Sequence, residues 1–102
     1  MLLTKKAYEP NQVVTLKTTA GEEVVARIAE ETDTTYVLTK PHVLVHTPQG
    51  GFGLAPAVFS LGPNAGSVVL NKHAVAFHGA TETELANQYL AKTTGLTIAK
   101  AI

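Results

Sequence analysis

Short stretches of alternating apolar and polar residues, ended by glycine or proline, run through most of this sequence. In the clearest of them, segment 23–29, Val24, Ala26 and Ile28 fall on one face of an extended chain, because side chains alternate across a strand. Gly21 precedes this segment and supplies the positive φ of a tight hairpin turn. The pattern predicts strand, turn and half-buried strand, and therefore antiparallel β structure.

The same pattern predicts further short strands and one helix. The strands are expected at 13–16, 35–39, 54–61, 67–70 and 74–77, with a loop at 47–53 and a turn at 62–66. Pro41 has no N–H for a ladder, so the run from Thr35 to His46 either bends there, breaks, or lies on an edge. Thr81 and Glu84 match a capping box, which predicts a helix from about residue 82 to 93.

Composition bounds the class of protein. The 102 residues suit one domain, and 45% hydrophobic residues provide material for a core. Eight bases balance eight acids, which argues against broad phosphate neutralisation on duplex nucleic acid and favours self-association. There is no cysteine, no signal peptide pattern and no apolar run long enough to span a membrane. We therefore expect a soluble, intracellular protein.

The acidic residues are concentrated in one region. Segment 22–33 holds five of the eight acids and one base, Arg27. This cluster predicts a solvated hairpin surface, with electrostatic docking to another subunit as the alternative.

The sequence offers little for catalysis or metal binding. One Asp, two Ser and no Cys make a nucleophilic triad improbable. His42 and His46 would share a strand face but lie roughly 13 Å apart, too far to share a metal without other elements. Gly50–Gly53 lacks the following helix and Lys-Ser/Thr of a phosphate loop. We expect no enzyme, no metal and no cofactor.

Lys72 and His73 occupy a short turn between the last two predicted strands. A tight turn between strands directs such side chains outward. The pair is therefore either a solvated turn or a contact for a small anion or nucleotide, with Lys for phosphate and His for a base.

Two stretches resemble the Sm-like (LSm/Hfq) family, in the right order. Segment 14–40, with Gly21, Asp33 and Tyr36-Val37-Leu38, resembles the first Sm motif. Segment 69–76 resembles the second motif in its bacterial Hfq form, whose hallmark is a Lys-His-Ala turn. The whole chain also looks like small Sm-like proteins of marine cyanophages.

The resemblance implies a small, strongly bent five-stranded antiparallel barrel over 12–79; with the helix predicted from the sequence, the expected fold class is all-β with one helix. An extra hairpin at about 41–66, a flexible arm at 1–11, and a C-terminal helix and tail at 80–102 complete the chain. Such barrels join edge to edge into homo-oligomeric rings of about five to seven copies. Family rings bind single-stranded RNA around the pore; the matching positions are Lys72 and His73, with Tyr36 and Val37 beside them. The expected location is the cytoplasm, that of the host cell if the protein is phage-encoded.

Several departures from the family pattern keep a second reading open. Val37 stands where the first motif usually has a base-contacting Asn, Ala26 replaces a glycine, and no N-terminal helix is evident in residues 1–11. The alternative is a phage structural or adaptor ring that binds a phage or host protein and not nucleic acid.

Overall fold

The computed structural model describes residues 7–58 and 66–94. The elements, in chain order, are β1 (Val13–Thr18), β2 (Glu23–Glu31), β3 (Thr35–His46), β4 (Phe52–Pro56), β5 (Val68–Asn71), a 3₁₀ turn (Lys72–Ala74), β6 (Val75–Ala80) and α1 (Thr83–Thr94). The predicted fold class, mostly antiparallel β with one helix near the C-terminus, is confirmed, but the described residues form six strands in an open sheet and not the expected five-stranded barrel.

The six strands form one antiparallel sheet in the order β4-β3-β2-β1-β6, and β5 also pairs with β3. The long strand β3 pairs with β2 along one edge. Along its other edge, its first part pairs with β5 and its second part with β4. Within the described residues β5 and β6 each pair with a single strand, so the sheet does not close on itself. The 3₁₀ turn joins these two edge strands.

Pro41 lies inside β3 without breaking it. Val25 pairs with His42 and Arg27 with Thr39, so the register shifts between the two pairs. Lys40 takes a positive φ of 47° at this point. A β-bulge of this kind inserts an extra residue and bends the strand. Of the outcomes that the sequence left open, the structure therefore has the bent, continuous strand.

The hairpin that follows starts earlier than the sequence pattern predicted. β4 begins at Phe52, inside the expected loop, and ends at Pro56. The turn at 47–51 is closed by the Thr47 amide, which donates to the Gly51 carbonyl at 2.9 Å. The predicted strand end at 59–61 and most of the predicted turn at 62–66 lie outside the described residues.

The core lies on one face of the sheet. Its buried members are Val14, Leu16, Val24, Ala26, Ile28, Tyr36 and Leu38. The face predicted from the alternation in β2 is therefore confirmed. Val25 points the other way and is also fully buried, so β2 is covered on both faces there and not half-buried as predicted.

Helix α1 lies on this second face. Tyr89 is fully buried, and its ring centroid lies 5.7 Å from that of His42, the cross-strand partner of Val25. The Tyr89 hydroxyl accepts the Arg27 amide at 3.1 Å and shares its hydrogen between the carbonyls of Thr39 and Lys40, both at 2.9 Å. The helix is thus fixed to the bulge of β3.

The helix begins one residue later than predicted, and its cap differs. The carboxylate of Glu82 accepts the amides of Glu84 and Leu85 at 2.6 and 3.2 Å. The Thr81 hydroxyl instead makes a 2.9 Å hydrogen bond with the hydroxyl of Thr15 in β1. The predicted Thr81 capping box is therefore wrong, because a neighbouring strand supplies a partner for its hydroxyl.

Candidate functional site

The Lys72 side chain does not extend freely from the turn. Its ammonium donates to the Glu31 carboxylate at 2.8 Å and lies 5.0 Å from the centroid of the Tyr36 ring. The backbone of the turn is fixed as well, because the Lys72 amide donates to the Thr34 carbonyl at 2.8 Å. The Lys72 ammonium is therefore fixed in an ion pair, and about a quarter of the side chain is exposed.

Glu31 is the buried acid at the centre of this site. Its side chain is 4% exposed, and its second oxygen accepts the amide of Ala7 at 3.0 Å. The carboxylate therefore joins the 3₁₀ turn to the N-terminal segment. A buried charge needs this degree of pairing to be tolerated.

The four residues predicted for RNA binding are not all brought together. Tyr36 is buried and touches Lys72, so these two lie in one site. Val37 follows Tyr36 on β3 and faces the opposite side of the sheet, where it pairs with Val69 of β5. His73 is exposed, and no hydrogen bond or ring contact joins it to another residue of the described part of the chain.

Two aromatic residues that sequence reasoning missed complete the site. Tyr8 and His78 lie 2.6 Å apart from hydroxyl to Nδ1. Their ring centroids are 5.6 Å apart, and the Tyr36 ring lies 6.3 Å from Tyr8 and 6.0 Å from His78. These are distances at which tilted and edge-to-face aromatic pairs interact favourably. We call Tyr8, Tyr36, His78, Lys72 and Glu31 the aromatic–ionic cluster.

Ionisation follows from this arrangement. Burial opposes the charge on Glu31, but hydrogen bonds from Lys72 and Ala7 and the nearby ammonium outweigh it and hold the pKa of the carboxyl below its ordinary value. Burial, with the negative charge of Glu31, raises the pKa of Tyr36. Burial also raises the pKa of Tyr8, as does its proximity to Tyr36 and Glu31. The Tyr8 and Tyr36 hydroxyls therefore stay protonated at neutral pH, beside a fixed ion pair.

Glu31 was missed because β2 changes phase. Ile28 pairs with Leu38 but Glu30 with Val37, so Ala29 is an extra residue on β2. Strict alternation after Ile28 directs Glu30 inward; the bulge directs Glu31 inward instead. The predicted solvated acidic surface is therefore wrong at Glu31. No local pattern points to Tyr8 or His78, because both residues reach the site only through tertiary contacts.

The cluster combines aromatic rings with an ammonium group that is paired with a carboxylate. Aromatic faces stack on bases, and an ammonium binds phosphate. Within residues 7–58 and 66–94 no group of three metal-ligating side chains converges. No helix among the same residues has the length and apolar character needed to cross a membrane.

The sequence matches no family model and no curated protein.

Proposed function

We propose that this protein is an Sm-like ring subunit that binds short single-stranded RNA beside the Lys72–His73 turn. The observation that carries the proposal is the position of this turn. It joins two strands, β5 and β6, that each have one neighbour among the described residues, and it sets Lys72 against the Tyr36 ring. The assembly surface and the ligand site are therefore adjacent.

The two edge strands favour self-assembly. Val69 on β5 is 67% exposed and Phe77 on β6 is 71% exposed. Strand edges with unpaired amides and carbonyls recruit further strands, and exposed large apolar side chains mark interaction surfaces. Pairing β5 of one copy with β6 of the next is a head-to-tail contact, which closes into a ring when the rotation permits.

The RNA part of the proposal depends on a local site and not on net charge. The chain is neutral, so long-range attraction to phosphate is weak. In a ring the Lys72 ammonium and the exposed His73 imidazole would be repeated once per copy, which multiplies weak contacts. Stacking on aromatic rings adds affinity that tolerates different bases.

Assembly is tested by light-scattering chromatography of the full chain. We expect a mass several times that of the 10.7 kDa monomer. The Val69→Asp/Phe77→Asp variant should elute as a monomer, because it places charges along both edges. Phe52→Asp is the matched control: Phe52 is also exposed but lies on β4, and this variant should keep the wild-type mass. A monomeric wild type would overturn the ring.

RNA binding is tested by fluorescence anisotropy with uridine-rich and adenine-rich oligonucleotides at two salt concentrations. Replacing Lys72 alone leaves the Glu31 carboxylate unpaired, so the informative variant is Glu31→Gln/Lys72→Gln with His73→Ala. We expect the wild type to bind in a salt-sensitive manner and the variant to bind more weakly, with a salt slope smaller by about one unit for each phosphate contact removed per site. Lys92→Gln on α1 removes an exposed cation elsewhere and should leave binding unchanged. Absence of binding by the wild type at low salt would overturn the RNA proposal.

One observation favours an adaptor ring as the second candidate. The Lys72 charge is already compensated by Glu31, and an open cavity of about 430 Å³ lies away from the turn, between the β1–β2 turn and the β3–β4 hairpin. Its lining includes Glu22, Val45, His46 and the exposed Phe52. A ring that captures a specific protein regardless of salt, and loses it on Phe52→Asp, would support this candidate.

A further inference from the structure

We propose that the segment Ala7–Tyr8 is a releasable strap that covers the RNA site, so that a ligand must displace it in order to bind. This inference rests on the function proposed above and adds regulation to the same site. It is carried by the contacts of the strap with the residues that an RNA would need.

The strap is tied to the ligand side of the cluster. The Ala7 amide occupies one oxygen of Glu31, and the other oxygen holds Lys72. The Tyr8 ring lies beside the Tyr36 and His78 rings, and its hydroxyl is hydrogen-bonded to His78. A base stacking on Tyr36 and His78 would take the space of the Tyr8 ring.

The residues that follow the strap in the sequence, Asn11 and Gln12, are anchored to β2 by backbone hydrogen bonds. The Asn11 amide donates to the Ile28 carbonyl at 2.6 Å, and the Ile28 amide donates back to the Gln12 carbonyl at 2.9 Å. Asn11 has a positive φ of 70°, which turns the chain at this point. These hydrogen bonds do not involve Ala7 or Tyr8, so release of these two residues would leave them in place.

The strap is held by two hydrogen bonds of unequal strength, of which the bond from the Ala7 amide to the Glu31 carboxylate is charge-assisted and the stronger. Its hydrogen bond to His78 is exposed to water, and Ala7, Glu9 and Pro10 are exposed. Such hydrogen bonds contribute little net stability because water competes for both partners. Tyr8 is only partly buried and lies at the border of the core.

A covering segment lowers apparent affinity in proportion to the fraction of open molecules. Removing the strap should therefore tighten RNA binding without adding a contact. Tyr8→Ala should lower the apparent Kd about tenfold, and Tyr8→Phe, which keeps the ring but loses the bond to His78, about twofold to threefold. Glu9→Gln alters the neighbouring exposed side chain and should leave the Kd unchanged.

The experiment combines anisotropy of a labelled single-stranded oligouridine with hydrogen exchange at the Ala7 amide. All variants are full-length and are first shown to melt cooperatively. Tighter binding by Tyr8→Ala and Tyr8→Phe, with loss of Ala7 protection when oligouridine is added to the wild type, supports the strap.

Other outcomes overturn it in distinguishable ways. If the wild type binds oligouridine and both Tyr8 variants bind it as tightly as the wild type or more weakly, Tyr8 does not compete with the RNA. The strap proposal is then wrong and the RNA proposal stands. If neither the wild type nor the variants bind at low salt, the RNA proposal fails and the strap fails with it.

Discussion

Two tyrosines from opposite ends of the chain dock on the sheet, and they do so by different chemistry. Tyr89 is fully buried, and its hydroxyl bonds only to backbone groups of β2 and β3. Tyr8 is partly buried, and its hydroxyl meets one exposed side chain, His78. Buried bonds to strand backbone have no competing water, whereas exposed side-chain bonds do. The comparison separates a permanent anchor from a contact that a ligand can replace.

The largest expected effect concerns the Tyr89 anchor. Tyr89→Ala should lower the free energy of unfolding by about 3–5 kcal/mol, because it leaves a large cavity between α1 and the sheet. Tyr89→Phe should cost about 1–3 kcal/mol, since it keeps the ring but leaves the Arg27 amide and two carbonyls without their partner. Urea unfolding followed by circular dichroism measures both. Equal losses for Tyr8→Ala and Tyr89→Ala would break the comparison.

The next effect concerns the ion pair beside Tyr8. Lys72→Ala should lower the free energy of unfolding by about 1–3 kcal/mol, because it leaves the buried Glu31 carboxylate without its cation. The value stays below that for a fully buried pair because Lys72 is partly exposed. Glu31→Gln/Lys72→Gln should lose less than the single variant, since no charge is left unpaired. A double variant with a lower free energy of unfolding than Lys72→Ala would contradict this account.

Acid pH should act on the Glu31 side of the molecule and not on the Tyr89 side. Folding lowers the pKa of Glu31, so its contribution to stability is fully present above the ordinary glutamate pKa and is lost as the pH falls from there through the lower pKa of the folded protein. Glu31→Gln should therefore flatten the acid decline in stability, measured by urea unfolding from about pH 6 to pH 3. Tyr89→Phe should lower the free energy of unfolding by a similar amount at every pH and leave its acid slope unchanged.

The smallest expected effect is that of the Tyr8 hydroxyl. Tyr8→Phe should change the free energy of unfolding by no more than about 0.5–1 kcal/mol, because the bond it removes is exposed. Hydrogen exchange should detect it as faster exchange at Ala7, with no change at Arg27, whose amide is bonded to Tyr89. Faster exchange at Arg27 would show that the two docked tyrosines are coupled.

Most of the strands, and the core face of β2, could be predicted from local sequence patterns. Period-two alternation from Val24 to Ile28, the glycine at position 21 and the turn at Lys72 are local signals, and each corresponds to an observed element. Local patterns suffice here because side chains of a strand alternate and turns demand particular residues. The fold class followed from these signals alone.

Which side chains meet in the aromatic–ionic cluster depends on how the strands pair in the folded chain. The bulge at Ala29 turned Glu31 inward, and the bulge at Lys40 let β3 pass through Pro41 and pair with two strands. Tyr8 and His78, seventy residues apart, meet through a hydrogen bond that no local pattern encodes. A bulge changes which face every later residue occupies, and its position depends on pairing with a partner strand. Alternation can therefore predict a strand, but it cannot predict which face a side chain occupies after a bulge.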